Sequence, residues 1–180
     1  MTIPTLLTPR LVLRAPRLAD FDVWAAYYGS PRAVHEGGPF DRVEAWKLFA
    51  ADVGLWQLRG YGAFGVDDGA SGRHLGEVGI YQRADYPGPE LGWMVVPEAE
   101  GRGIATEAAR AVLNWIRETF AWRFVTSIIS PGNDRSIALG LRLGGVLDAT
   151  LPGIDPGDVV IRHDLRPGGA APDFARGAHV

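Results

Sequence analysis

The segment between residues 90 and 130 limits the possible folds more than any other part of the chain. Its apolar stretch ELGWMVV is followed by the turn PEAEGRGIAT, and from Gly103 to about Phe120 apolar residues recur at helical spacing. A second apolar stretch, FVTSIIS, follows. A strand, a helix and a strand in this order predict a parallel crossover, in which the helix covers one face of a sheet.

The elements on either side of this crossover predict a mixed sheet. Short segments between residues 61 and 96 are separated by turn residues and indicate an antiparallel meander. The other predicted elements are a strand at residues 10–14, helices beginning near Asp20, Val43 and Asn133, and strands near residues 146–150 and 159–165. The order β-α-α-β-β-β-α-β-α-β-β predicts an α/β (α+β) fold: a mixed, mostly antiparallel central sheet of about seven strands with helices on both faces.

Composition narrows the classes of protein. A chain of 180 residues suits one domain, which we place at residues 1–166, and the Gly- and Ala-rich residues 167–180 predict a flexible C-terminal tail. A net charge of −3 without a Lys/Arg run argues against nucleic acid as a partner. The chain has no cysteine, which excludes disulfides and cysteine nucleophiles. Because no apolar run approaches the ~18 residues of a membrane span, we expect a cytoplasmic protein that does not bind membranes.

The turn from Pro97 to Thr106 has a composition that suits phosphate groups. Gly101, Gly103 and Ala105 keep bulky side chains away from converging backbone N–H groups, and the helix dipole adds positive potential. Any helix can begin with such a turn, so this signal alone is weak. A P-loop is excluded because no Gly-Lys-Ser/Thr follows, and a dinucleotide fingerprint because Thr106 replaces its third glycine.

A second motif, at residues 133–145, comes directly after the next strand. With Asn133 and Ser136 it matches the Asn-x-x-Ser helix start of the GNAT superfamily of N-acetyltransferases, whose Q/R-x-x-G-x-G/A turn the segment EGRGIA resembles. The order of elements from TPRLVLR to VVIRHDL is similar to the RimJ/RimL-like branch. Two positions depart from the family pattern: Glu100 stands where Gln or Arg is usual, and Gly145 stands where Phe is usual.

The resemblance implies an acyl-CoA N-acyltransferase fold and transfer of an acetyl group from acetyl-CoA to a primary amine, either a protein N-terminus or a small molecule. It also implies that the two strands of the crossover splay apart, that main chain near residues 94–96 pairs with the pantetheine arm, and that the glycine turn binds pyrophosphate. The residues that we assign to acetyl-CoA are Met94, Val95, Val96, Gly101, Arg102, Gly103, Ile104, Ala105, Thr106, Asn133 and Arg142.

Two carboxylates are candidates for the general base, because aminolysis of a thioester requires a neutral amine. Glu90 begins the strand that leads to the turn, and we expect it to accept the proton directly or through a water. Glu77 is the second candidate, since small and apolar neighbours would raise its pKa. Either residue could instead be a carboxylate that only faces solvent.

A hydroxyl is needed to protonate the departing thiolate, and residues 133–145 contain no tyrosine. The resemblance to RimL-like members places Ser136 in this role. The alternative is that Ser136 is an ordinary first-turn residue, with Asn133 or Asp134 as the helix N-cap.

The acceptor amine is expected at two long irregular segments, residues 30–40 and 82–89, together with nearby aromatic residues. The four histidines show no metal-ligand spacing, so we expect no metal. A non-catalytic acyl-CoA-binding module is the alternative function, and either a monomer or a homodimer is compatible with the sequence. The residues assigned to the acceptor are Trp24, Tyr28, His35, Phe40 and Tyr86.

Overall fold

A computed structural model describes residues 2–166 and 168–169, so the predicted tail lies almost entirely outside the described residues. Eight strands form one sheet in the order β1-β2-β3-β4-β5-β6-β8-β7. All neighbouring strands are antiparallel except β5 and β6, as the crossover pattern predicted. The strands are β1 (Leu6–Leu7), β2 (Leu11–Arg14), β3 (Ala63–Asp68), β4 (His74–Tyr81), β5 (Glu90–Val95), β6 (Phe124–Ile129), β7 (Val146–Leu147) and β8 (Val159–Asp164).

The mixed, mostly antiparallel sheet is therefore confirmed, with one strand more than the seven that the sequence indicated. The additional strand, β1, is only two residues long and too short to show a periodic pattern. The helices are α1 (Phe21–Tyr28), α2 (Arg42–Arg59), α3 (Ile104–Thr119) and α4 (Asp134–Arg142), with 3-10 helices at Leu18–Asp20, Pro31–Glu36 and Pro97–Ala99.

Helices cover both faces of the sheet because consecutive strand residues point to opposite sides. On one face, Val112 and Ile116 of α3 pack against Val78 and Leu91 of the central strands. On the other face, Met94 packs among aromatic residues of α1 and α2. None of the helices within residues 2–166 combines the length and the apolar character needed to cross a membrane.

The strands β5 and β6 diverge, and this gap positions the candidate site. They pair in register only between Glu90, the first residue of β5, and Thr126, the third residue of β6. Farther along, side chains replace the ladder: the Ser127 hydroxyl donates to the carbonyl of Leu91 at 2.7 Å, and the Glu90 carboxylate accepts from the N–H of Ile128 at 3.2 Å. Beyond these contacts β5 and β6 no longer pair, so the main-chain groups of β5 that point away from β4 face the gap.

Candidate active site

An open groove of about 1690 Å³ runs past the end of β5 and the first turns of α3 and α4. Most of the residues that the sequence assigned to acetyl-CoA come together here, although their predicted positions lie up to 48 residues apart in the chain between Met94 and Arg142. Those that line the groove are Met94, Val95, Gly101, Gly103, Ile104, Ala105, Thr106, Asn133 and Arg142.

The glycine turn has a backbone conformation that side chains disfavour. Gly101 and Gly103 have φ angles of 69° and 76°, in the left-handed region that glycine adopts without steric cost. A Cβ atom at Gly101 would meet no atom within 4 Å, and one at Gly103 would meet only the Arg10 guanidinium at 3.5 Å. The turn therefore exposes its backbone toward open space, as a phosphate-binding turn requires.

Two of the residues assigned to acetyl-CoA lie outside the groove. The side chain of Arg102 is exposed, and its carbonyl accepts a hydrogen bond from Arg10 at 3.0 Å. The N–H of Val96 donates to the carbonyl of Leu75 in β4 at 2.8 Å, so it points away from the gap. Because hydrogen bonding alternates along an antiparallel pair, Met94 likewise points its main-chain groups toward β4, and those of Trp93 and Val95 face the gap.

Glu100, which stands where the family motif usually has Gln or Arg, binds two arginines. Its carboxylate forms salt bridges with Arg32 of the 3-10 helix Pro31–Glu36 and with Arg135 of α4, the latter at 2.7 Å. Burial opposes ionisation, but hydrogen bonds from Arg135 and Arg32 outweigh it and lower the pKa of Glu100. All three residues line the groove.

Ser136 also lines the groove, and a tryptophan contacts it. The Asn133 side chain caps α4 by accepting from the N–H of Ser136 at 3.2 Å, so Ser136 is not the N-cap. The indole N–H of Trp93 donates to Ser136 Oγ at 3.2 Å. Since this bond uses a lone pair of the oxygen, the hydroxyl hydrogen of Ser136 is left to donate elsewhere.

A smaller cavity of about 270 Å³ adjoins the groove. Trp93, His35 and Glu36 line both spaces and mark where they meet. Of the aromatic residues assigned to the acceptor, Tyr28, Phe40 and Tyr86 line this cavity, as does His35. Trp24 instead lies in the core with only 1% exposure, stacked on Tyr28 at a centroid distance of 3.8 Å.

The cavity is rich in carboxyl groups. Its only lining arginine within the described residues, Arg83, is paired with Asp52 through two hydrogen bonds of 2.8 and 2.6 Å, which offsets its charge. Glu36 accepts hydrogen bonds from the hydroxyls of Tyr27 and Tyr28 at the cavity wall. The acidic residues that line the cavity are Glu36, Asp85, Glu90, Asp155 and Asp158.

Glu90 lies at the wall of this cavity and is 9% exposed. Burial raises the pKa of Glu90 to about 8, against the opposing effect of the hydrogen bond from Ile128. A carboxyl group with such a pKa exists in both protonation states near neutral pH, which suits it to accept and return a proton.

Glu77, the second base candidate, lies behind the cavity wall. It is 5% exposed, lines neither space, and accepts a hydrogen bond from the hydroxyl of Tyr81 at 2.7 Å. Burial, and then the charge of Asp52, raise the pKa of Glu77 to about 8. Tyr81, which does line the cavity, therefore separates Glu77 from any acceptor placed there.

Glu77→Gln should stabilise the protein at alkaline pH. The native state holds the Glu77 proton more tightly than the unfolded chain, so the stability contribution of this residue is lost as pH rises from about 4.5 through about 8. A glutamine keeps an acceptor for Tyr81 but has no proton to lose. We expect a melting temperature near that of wild type at pH 5 and several degrees higher, on the order of 5 °C, at pH 8.5. Equal melting temperatures at both pH values would contradict the buried, protonated carboxyl.

Packing explains why residue 145 is glycine, although the family usually has phenylalanine there. A Cβ atom there would lie 2.4 Å from the Ile161 side chain and 2.8 Å from the imidazole of His163. His163 is 3% exposed and its Nε2 lies 3.0 Å from the hydroxyl of Ser127. The space for a larger residue is thus filled from β8, behind the divergent strands.

Sequence reasoning did not single out Trp93, Glu36, Arg32 and Arg135 as site residues. Trp93 belongs to a strand pattern that favours a core position, and the others occupy loop or helix surfaces where charged residues are common. Arg32 and Arg135 are distinguished only by their shared contact with Glu100, and Trp93 only by its hydrogen bond to Ser136. Glu36 is distinguished only by its position where the groove meets the cavity, and all of these features depend on tertiary structure.

Comparisons with known proteins agree with this architecture. The acetyltransferase from Agrobacterium tumefaciens str. C58 has 40% sequence identity and a TM-score of 0.87, over 91% of this chain and 95% of that chain. A spermidine N-acetyltransferase from Vibrio cholerae, solved in complex with CoA and spermine, has a TM-score of 0.67 at 17% identity, over 86% of this chain and 94% of its own. At that identity the likeness concerns the fold.

Among curated proteins, the uncharacterized protein YkkB of Bacillus subtilis (strain 168) is 31% identical over 96 residues, which is 49% of this chain. The match spans 56% of that protein, so little more than half of its length is compared. The sequence profile described as "Acetyltransferase (GNAT) domain" matches residues 10–146, most of the chain. The chain therefore belongs to the GNAT family of acetyltransferases.

Proposed function

We propose that the protein transfers an acetyl group from acetyl-CoA to a primary amine by direct attack of the amine on the thioester. This proposal rests mainly on one observation: the groove and the acidic cavity meet at Trp93. Ser136 lies on the groove side of this tryptophan, and Glu90 lies on the cavity side. The division suits a reaction in which one space holds the donor and the other holds the acceptor.

The groove fits CoA by its own features. The turn at Gly101 and Gly103 leaves backbone N–H groups accessible, and the unpaired main chain of Trp93 and Val95 can pair with amides of the pantetheine arm. Acetyl-CoA would supply the activated thioester. A backbone N–H of β5 in the gap would stabilise negative charge on the carbonyl oxygen during attack.

Glu90 would remove the proton of the amine. Proton transfer to a carboxylate with a pKa of about 8 is nearly isoenergetic from an α-amine, whose pKa is about 7.7–8.0. From an alkyl amine with a pKa of about 10.4, like that of lysine, the same transfer costs roughly 3 kcal/mol. Glu90 Oε1 accepts from Ile128, which orients the carboxylate and leaves Oε2 for the proton. Ser136 would donate its hydroxyl proton to the departing sulfur and regain a proton from water, and Trp93 holds its oxygen in place.

Ser136→Ala should slow acetyl transfer by about 10²-fold, the lower end of general acid catalysis, because a thiolate leaves fairly well without assistance. CoA affinity should not change. The melting temperature should also stay close to wild type, because Asn133 caps α4 through the backbone N–H of residue 136, which alanine retains. Turnover, calorimetric CoA affinity and melting temperature are to be measured on one purified variant. Unchanged turnover would assign thiolate protonation to water.

The acceptor that the cavity suits best is a small amine with additional positive charge. The carboxylates of Asp85, Asp155 and Asp158 attract cations, and the rings of Tyr28, Phe40 and Tyr86 offer faces for cation–π contact. The spermidine N-acetyltransferase of Vibrio cholerae acts on such an amine, whereas RimL is a ribosomal-protein α-N-acetyltransferase, and both share this fold. A RimJ/RimL-like protein acting on a protein N-terminus is therefore the competing acceptor assignment.

A panel of acceptors tests this assignment. Release of free thiol from acetyl-CoA is followed with polyamines, free amino acids, aminoglycosides and short peptides that have a free N-terminus. The account predicts the highest kcat/KM for a polyamine or another multiply charged amine. Turnover with peptides alone would assign the protein to N-terminal acetylation. Both reactions draw on the acetyl-CoA pool of the cytoplasm, where we place the protein as a monomer or homodimer.

A non-catalytic acyl-CoA-binding module is the alternative function. It would retain the groove, but nothing in it would require Glu90 to be buried beside a second cavity. Such a module binds CoA and produces no thiol with any amine.

A further inference from the structure

We propose that Arg32 and Arg135 bind the pyrophosphate of CoA and that Glu100 positions both arginines beside the glycine turn. The inference rests on the proposed function, because it concerns the same groove. It identifies side chains that replace the contact expected from Gln or Arg at the first position of the turn.

The geometry brings three separate parts of the chain to one point. Glu100 immediately precedes Gly101, Arg32 comes from the 3-10 helix Pro31–Glu36, and Arg135 lies in the first turn of α4. The same carboxylate oxygen, Oε2 of Glu100, binds Nη2 of both arginines. The two guanidinium groups are thereby held at the wall of the groove, which Gly101 and Gly103 also line.

The net charge of the cluster formed by Glu100, Arg32 and Arg135 favours the binding of an anion. A carboxylate alone beside a phosphate-binding turn would repel the ligand. Two arginines against one glutamate leave a net charge of +1 at this point, and the lowered pKa of Glu100 means that this balance persists at neutral pH. The residue that departs from the family pattern is therefore accompanied by two compensating cations.

The arginines retain donors for a ligand. Each guanidinium has five N–H donors, and an Arg–carboxylate contact to a single oxygen uses few of them. The side chains of Arg32 and Arg135 are 35% and 72% exposed, so a bound anion could reach both. An exposed ion pair contributes little to folding stability, which makes a purely structural role for this cluster a weak explanation.

Calorimetric titration with CoA tests the proposal on the variants Arg32→Ala and Arg135→Ala. Each should weaken CoA affinity by about tenfold, the loss typical of one hydrogen-bonded contact to a charged group. The dependence of affinity on salt concentration should also become less steep, because one ion pair with phosphate is removed. Arg135→Lys, which keeps the charge without the planar donor set, should lose less than Arg135→Ala.

The matched control is Arg73→Ala. Arg73 pairs with Glu98 on the same turn, with both side chains more than half exposed, but neither residue lines the groove. This variant removes the same charge and the same kind of salt bridge, and it should bind CoA as wild type does. If Arg32→Ala and Arg135→Ala behave like Arg73→Ala, the two arginines do not bind CoA.

Dephospho-CoA, which lacks the 3′-phosphate of CoA, distinguishes binding to the pyrophosphate from binding to the 3′-phosphate. Binding to pyrophosphate predicts the same fold-loss of affinity with dephospho-CoA as with CoA, whereas a loss that disappears with dephospho-CoA would overturn the pyrophosphate assignment.

The role of Glu100 is tested by a double-mutant cycle. Arg135→Ala should cost less CoA affinity in a Glu100→Ala background, and additive losses would show that Glu100 does not position Arg135. Wild-type protein that fails to bind CoA would instead contradict the proposed function itself.

Discussion

Gly103→Val is expected to weaken CoA binding by at least about 100-fold while the protein remains folded. The φ angle of 76° is unfavourable for a β-branched residue, so the backbone that presents the N–H groups would change or stay strained. Losing two or more hydrogen bonds to charged phosphate oxygens, at roughly 1.5–3 kcal/mol each, accounts for a loss of this size. The fold should survive because a Cβ atom at this position meets only Arg10, at an ordinary contact distance of 3.5 Å.

Gly72→Val is the control for backbone strain. Gly72 has a φ angle of 70° in the turn between β3 and β4, a Cβ atom there meets nothing within 4 Å, and the residue does not line the groove. Both variants should lose similar stability in chemical denaturation, but only Gly103→Val should lose CoA affinity in calorimetry. Wild-type affinity in Gly103→Val would remove the glycine turn from the phosphate site.

Glu90→Gln is expected to lower turnover at pH 7 by on the order of 10²-fold with little change in CoA affinity. Glutamine retains a carbonyl oxygen to accept from Ile128 but cannot take up a proton. With a pKa of about 8, about a tenth of Glu90 is ionised at pH 7 and most of it at pH 9, so the wild-type rate should rise through pH 8. The deficit of the variant should shrink as pH approaches the pKa of the amine, because less assistance is then needed.

The pH profile of kcat/KM for wild type, Glu90→Gln and Glu98→Gln measures this effect. Glu98 is an exposed glutamate that lines neither cavity, so its substitution removes a carboxylate without touching the site. A Glu90→Gln enzyme as active as wild type at pH 7 would leave deprotonation of the amine to water.

Much of the fold was predictable because it depends on local pattern. The turn at Gly101 and Gly103 follows from glycine spacing, and Asn133 as a helix cap follows from its place before an apolar periodic segment. The parallel pairing of β5 with β6 follows from the helix between them. The turn and the cap are each encoded within a few residues, and the crossover, residues 90–129, follows from the order of its consecutive elements.

The parts that sequence reasoning missed depend on register and on distant contacts. Whether Met94 or Val95 turns its main chain to the gap is decided by the pairing of β5 with β4, and a shift of one residue reverses it. Trp24 was expected at the acceptor site because it lies near the loop, but its side chain points into the core between α1 and α2. The contact between Trp93 and Ser136 joins residues 43 positions apart.

Mass spectrometry of the reaction mixture shows directly whether this protein transfers an acetyl group to an amine. Purified protein is incubated with acetyl-CoA and the best amine of the acceptor panel, and free thiol is quantified in the same sample. The account predicts that the amine gains the mass of one acetyl group in equal amount to the thiol released, many times per protein molecule. Stoichiometric CoA binding without acetylated product for any amine in the panel would contradict it.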